Sequence, residues 1–314
     1  MADNLWSVVL AAGSGRRLAP VTQGVPKQFW CARGRRSLLD ETFARVAPLA
    51  PPERTTVVVD RTHRRYVDAA PRIWPADWLI YQPEDRGTAA GILLALSPIL
   101  SSSPDDIVLL TPSDHAVTDI GMFRDSVAAA VAVVQSNRVN AVLFGVEPAA
   151  PVTDYGWIAP GSRYQWARNP PLRRVARFVE KPVADLACRL FVSGAVWNTM
   201  VLVARASSLL DLYRSHLPDL AVTFETYRRL PRHRQDSFLS EQYRQLPPAD
   251  FSRDLVAVAS GLALYTWERS IGWSDLGTPD RFHRWLDASA QTSPSRDVAD
   301  VERGCAGDFC AREA

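Results

Sequence analysis

Trp6-Ser7-Val8-Val9-Leu10-Ala11 runs directly into Ala12-Gly13-Ser14-Gly15-Arg16-Arg17-Leu18. The first six residues read as a short buried strand, and the glycines end it in a turn. In an open α/β sheet, ligands gather beyond the carboxyl ends of such strands. Glycines at 13 and 15 let backbone approach an anion, and successive amide N–H groups can cradle phosphate. The turn has neither the Lys-Ser/Thr of a P-loop nor the third glycine of a dinucleotide fingerprint. Alone it is an ordinary turn. Arg17, Pro26 and Lys27, which follow it, tilt it toward a nucleotide-phosphate loop.

Outward from this stretch, strands are predicted at 55–60, 79–81, 106–110 and 141–146, with helices at 88–100 and 122–134. That alternation predicts an α/β, Rossmann-like fold whose mostly parallel or mixed sheet is covered by helices on both faces. From about Pro148 the texture changes. Strands are expected at 155–158, 175–179 and 191–203 as a sheet extension, then helices at 207–216 and 221–230 and a strand at 262–265. Residues 289–314 are polar and aperiodic, and predict a loose tail or a weakly packed final helix.

Composition narrows the function classes. The chain has 314 residues, 47% of them hydrophobic and 22% charged, as expected of a globular protein. A net charge of +2 is too small for general attraction to nucleic acid or anionic membrane. Cys31, Cys188, Cys305 and Cys310 show no paired zinc spacing and no disulfide density, so a reducing compartment is expected. No basic segment precedes the apolar run 5–12 and no stretch is long enough to span a bilayer, which predicts a cytoplasmic protein. Arg33-Gly34-Arg35-Arg36 reads as a solvated loop. Of 36 basic residues only Lys27 and Lys181 are lysine. An ammonium is a compact point charge where guanidinium is a wide fork, which suits a crowded phosphate pocket.

The motifs, taken in order, resemble the sugar-phosphate nucleotidyltransferases, among them the mannose-1-phosphate guanylyltransferases. The resemblance rests on Gly13-Ser14-Gly15-Arg16-Arg17-Leu18-Ala19-Pro20, Pro26-Lys27-Gln28-Phe29 and Gln82-Pro83-Glu84-Asp85-Arg86-Gly87-Thr88-Ala89. It continues through Pro112-Ser113-Asp114-His115, Phe178-Val179-Glu180-Lys181-Pro182 and Gly272-Trp273-Ser274-Asp275-Leu276-Gly277. It implies one nucleotidyltransferase domain over 1–288, with a nucleotide-binding half at 1–147 and a sugar-binding, metal-completing half at 148–288. No sugar-isomerase domain of the kind carried by longer members is expected in these 314 residues.

The implied reaction is Mg²⁺-dependent transfer of GMP from GTP to mannose 1-phosphate. Other nucleoside triphosphates or hexose 1-phosphates, or a noncatalytic sugar-nucleotide sensor, remain alternatives. Nucleotide contacts are expected from Ala12, Gly13, Ser14, Gly15, Arg16, Arg17, Lys27, Gln82, Arg86, Gly87, Thr88 and Ser113. Sugar-phosphate contacts are expected from Asp114, Tyr155, Gly156, Glu180, Lys181 and Asn198. Arg17, Lys27, Asp114, Lys181 and Asp275 carry catalysis, with Asp114 and Asp275 on Mg²⁺, which favours one or two carboxylates plus phosphates and water. His115 is expected to pack rather than to ligate, and Asp119 to cap the following helix. Self-association is common among such relatives, so a homo-oligomer is left open. Two departures bear on specificity: Met200 stands where Trp-Asn-Ser-Gly would place glycine, and Arg16 interrupts Gly-x-Gly-Thr.

Overall fold

A computed structural model describes residues 4–31, 36–69, 79–167 and 171–292. Most of the expected arginine-rich loop and the region beyond 292, with Cys305 and Cys310, lie outside the described residues. The strands are β1 (Leu5–Ala11), β2 (Thr55–Asp60), β3 (Leu79–Gln82), β4 (Ile107–Pro112), β5 (Ala141–Val146), β6 (Gly156–Arg163), β7 (Arg173–Glu180), β8 (Val196–Arg205) and β9 (Ala263–Trp267). The helices are α1 (Ala19–Thr22), α2 (Leu38–Val46), α3 (Arg64–Ala69), α4 (Thr88–Ser102), α5 (Ile120–Gln135), α6 (Ala184–Val192), α7 (Ala206–His216), α8 (Pro218–Arg229), α9 (Arg232–Gln245) and α10 (Pro279–Thr292).

The strands form one mixed sheet in the order β3-β2-β1-β4-β8-β5-β9-β7-β6. The first four are parallel, β8 enters antiparallel to both β4 and β5, and β5 runs parallel to β9. An antiparallel ribbon of β6 and β7 extends the far side. Because β8 lies between β4 and β5, the sheet is shared by residues on both sides of position 147.

Side chains alternate across β1. Val8 joins the core beneath α4, α7 and α8, while Leu5, Val9 and Ala11 join the core beneath α2 and α5. β2, β4 and β5 are buried along their whole length. Cover on both faces explains why these strands read as continuous apolar runs.

The sequence reading fails at 191–203. Phe191 and Val192 are the last turn of α6, and the strand starts only at Val196. Val192 is 86% exposed, so its apolar character marks no core position. Gly194, at φ +78, breaks the helix before the strand. The final helix is already under way at Pro279, well before the polar stretch that was expected to hold it.

Candidate functional site

β4 delivers Ser113, Asp114 and His115 to the carboxyl edge of the sheet. Their partner loop, Gly272 to Gly277, follows β9. An isolated antiparallel bridge fastens the two: Ala116 N–H donates to Ser274 O at 2.9 Å and Ser274 N–H to Ala116 O at 3.1 Å. Thr118 and Asp119 N–H both donate to Ile271 O at 3.0 Å. Asp119 also caps α5 through Met122 N–H, as expected. Backbone pairing thus brings Asp114 and Asp275 to one place.

Lys27 occupies the space between these two loops. Its Nζ lies 3.0 Å from Asp114 Oδ2 and donates to the main-chain carbonyl of Asp275. The lysine is delivered by a 3-10 turn, Lys27–Phe29, packed under the glycine-rich segment. Gln28 Nε2 donates to Ala11 O at 2.7 Å and to Gly13 O at 2.9 Å, pinning that segment. Gly15 adopts φ +62, and a Cβ there would lie 2.9 Å from Lys27 N. Only glycine satisfies both conditions. Arg16 and Arg17 are exposed, and Arg17 Nη2 lies against Gly277, 3.3 Å from where a side chain would begin.

Burial alone would raise the Asp114 pKa, but the charge and hydrogen bond of the Lys27 ammonium offset it and hold the carboxyl below its ordinary value. His115 is lowered, chiefly by burial and against the pull of Asp114, so its imidazole is neutral. Its ring meets Trp273 edge-on at 5.4 Å, which accords with packing rather than ligation. Arg45, which sequence reasoning missed, donates to His115 O at 3.4 Å and lies 5.2 Å from the Phe123 ring centroid. Burial, opposed by Glu41, lowers its pKa to about 10, so it remains cationic.

Tyr155, one of the residues expected at the sugar phosphate, is held within the protein by its ring and its hydroxyl. Its ring is buried between Trp197 at 4.8 Å and Trp273 at 5.5 Å, and its hydroxyl donates to Asp275 Oδ1 at 2.8 Å. Burial, and then Asp275, raise its pKa and keep the phenol protonated. Tyr155 O accepts the Lys181 N–H at 3.1 Å, so one residue links the Asp275 loop to Glu180-Lys181. Lys181 holds φ +44, a sparsely populated conformation for a non-glycine residue, and its Nζ lies 3.2 Å from Glu180 Oε1. Burial raises the Glu180 pKa, with Lys181 opposing. A Cβ on Gly156 would stand 2.7 Å from Glu180 Oε2 and 3.3 Å from Asn198 Cβ, so glycine permits this close cluster. Buried Asn198 accepts the Met200 N–H at 3.2 Å through Oδ1.

Met200 keeps a left-handed backbone at φ +59 within the irregular β5–β8 pairing. The chain therefore retains the glycine-like conformation without the glycine. The side chain packs against the core and its sulfur accepts from Ser252 Oγ.

The segment from Gln82 to Thr88 is clamped to the second half of the chain. Arg86 donates to Tyr243 O and Arg244 O at the end of α9 and pairs with Glu84 at 2.9 Å. Ala89 N–H donates to Ala249 O, Ala249 N–H to Arg86 O, and Phe251 N–H to Thr88 Oγ1. Gly87 lies against Ala249, and Gln82 is buried beside Gly91. Ser113 is buried, its N–H donating to Leu10 O. Lys27, Asp114, Asp275 and Tyr155 are thus joined directly, with Arg17 alongside. Glu180, Lys181, Gly156 and Asn198 form a neighbouring cluster, and Arg86 is turned toward α9.

Known proteins resemble the chain over most of its length. A family profile described as nucleotidyl transferase matches residues 6–292. The xanthan biosynthesis protein XanB of Xanthomonas campestris pv. campestris (strain B100) is 30% identical over 302 residues, covering 92% of this chain and 60% of that protein. A mannose-1-phosphate guanylyltransferase of Escherichia coli (strain K12) is 29% identical over 289 residues, covering 88% and 58%. The chain therefore spans about 60% of the length of these relatives. A solved structure from Thermus thermophilus, described as a mannose-1-phosphate geranyltransferase, superposes with a TM-score of 0.77 at 27% identity, covering 93% of this chain and 81% of the other. The chain belongs to the nucleotidyl transferase family.

Proposed function

We propose that this protein transfers a nucleoside monophosphate from a nucleoside triphosphate to a hexose 1-phosphate, with GTP and mannose 1-phosphate as substrates. The observation that carries the reading is the bridge between Ala116 and Ser274, which brings Asp114, Asp275 and the Lys27 ammonium into one polar cluster. The guanylyltransferase name of a relative supports the choice of nucleotide and sugar.

In the proposed reaction an oxygen of the sugar phosphate attacks the α-phosphorus in line. The bond from that phosphorus to the bridging oxygen breaks, and pyrophosphate leaves with the electron pair. The attacking phosphate is largely ionised at neutral pH, its second pKa being about 6, so no strong protein base is needed. Like-charge repulsion between the substrates is the main obstacle, and fixed cationic groups relieve it. Arg17 and Lys27 hold the triphosphate and the departing pyrophosphate. Lys181 orients the attacking phosphate, while Glu180 and Asn198 bind sugar hydroxyls.

The donor set fits Mg²⁺. Asp114 and Asp275 are hard oxygen donors, and among the described residues no cluster of three or more His, Cys, Asp or Glu forms a metal cage. Two carboxylates leave the remaining positions to phosphate and water, as Mg²⁺ requires. When bound, the ion would neutralise charge on the phosphates.

The test is turnover across four nucleoside triphosphates and several sugar phosphates with Mg²⁺. GTP with mannose 1-phosphate should be the best pair, and Asp114→Ala should lower its turnover by on the order of a thousandfold while the circular-dichroism spectrum is kept. Unchanged turnover in that variant would remove Asp114 from the reaction. Nucleotide binding without pyrophosphate release would identify a sensor instead.

A further inference from the structure

Asp275 is held by donors that converge on only one of its two oxygens. Oδ1 accepts the Tyr155 O–H at 2.8 Å and the Gly277 N–H at 3.0 Å, and it lies 3.3 Å from Arg281 Nε. Tyr155 immediately precedes β6 and Arg281 stands on α10, so the groups around Oδ1 come from separate stretches of chain.

Proton accounting fixes the direction of this network. Arg281 Nη1 donates to the Tyr155 hydroxyl oxygen at 2.6 Å. Guanidinium has no acceptor, so the single phenol proton goes to Asp275. A charged donor on the phenol oxygen strengthens the bond that the hydroxyl gives onward. Arg281 is itself fixed, with Nη2 3.2 Å from Asp154 Oδ2 and its guanidinium 4.8 Å from the Tyr155 ring centroid. With two hydrogen bonds and the Arg281 charge gathered at Oδ1, Oδ2 is the oxygen left to act. It lies on the Gly277 side of the loop, where Arg17 Nη2 also arrives.

We infer that Tyr155 and Arg281 are positioning residues that lock the Asp275 carboxylate through Oδ1 and present Oδ2 to a divalent cation. The inference rests on the proposed role of Asp275 in holding that cation. Neither residue touches substrate in this scheme. A purely structural role would be a cross-link between α10 and β6. Breaking such a link would lower stability and leave cation affinity alone.

The experiment titrates Mn²⁺ alone into the full chain, read by water-proton relaxation, with a thermal melt for each variant. Tyr155→Phe keeps the ring between Trp197 and Trp273 and removes only the hydroxyl. Arg281→Lys keeps the charge and loses the fork. Each should weaken Mn²⁺ binding by about tenfold. The half-saturating Mg²⁺ for turnover should rise in parallel, with KM for the sugar phosphate unchanged. Asp275→Asn separates the two layers of the inference. If it weakens Mn²⁺ binding while both positioning variants bind as wild type, the positioning role is overturned and the Asp275 role stands. If Asp275→Asn itself binds as wild type, the cation role fails and the positioning role with it. A lowered melt with unchanged Mn²⁺ affinity leaves only the cross-link and overturns the inference. Should Tyr155→Phe not fold, Arg281→Lys decides alone.

Discussion

Lys27 Nζ lies 3.0 Å from Asp114 Oδ2, with the lysine side chain 6% exposed and the aspartate 30% exposed. The other lysine has a different setting: Lys181 is 61% exposed beside Glu180. A wide guanidinium would not fit the first slot without moving both loops, whereas the second has room. Lys27→Arg should lower turnover by about a hundredfold, since a displacement of about 1 Å is enough for that loss. Lys181→Arg should stay within about twofold of wild type. Steady-state kinetics on both variants checks the contrast, and equal losses would refute it.

Met200 provides a test of backbone strain separated from packing. Its φ of +59 is a conformation that costs a non-glycine residue about 1–2 kcal/mol. Met200→Ala and Met200→Gly both lose the packed side chain and its contact with Ser252. Only glycine relieves the strain. Met200→Gly should therefore be the more stable of the two by about 1 kcal/mol in denaturant titrations.

His63 makes stability depend on pH. The ring is buried against Phe29, and burial lowers its pKa, aided by Arg65 and opposed by Asp60 and the hydrogen bond to Ala11. The unfolded chain therefore takes up the proton first as pH falls. Stability should be full above the unfolded value of 6.5 and decline as pH drops through it toward the folded value. Thermal melts from pH 8 to 5.5 should show this decline, and His63→Gln should make it shallower, leaving the part that the buried His115 contributes in the same window.

Ser37 caps α2 reciprocally with Asp40: Asp40 N–H donates to Ser37 Oγ, and Ser37 N–H donates to Asp40 Oδ2. Ser37→Ala should cost about 1 kcal/mol of unfolding free energy, measured by denaturant titration.

That cap was in plain view as Ser37-Leu38-Leu39-Asp40, a helix-start signal that the reading of strands and glycines passed over. β2, β4 and β5 were legible because they are buried along their whole length and carry apolar runs. α9 was not, since only Leu239 and Tyr243 along it are buried and its composition is that of a surface loop. The chemistry-bearing motifs were legible one by one. Their connections were not: Arg281 and Arg45 lie in no motif, and the bond from the Tyr155 hydroxyl to Asp275 spans 120 residues. Short-range spacing carries turns and caps, whereas a bond between residues 27 and 275 exists only once the sheet has been assembled.

The placement of β8 sets a condition on synthesis. β4 and β5 do not pair with each other; each meets β8, which the ribosome delivers later than both. A nascent chain that has released β5 carries three strand edges still awaiting a partner, one on β4 and both on β5, the kind of surface on which chains cross-pair. Stalling translation between β5 and β8 should therefore make the emerging polypeptide a chaperone client, release of β8 should reduce that dependence, and release of β9 should end it.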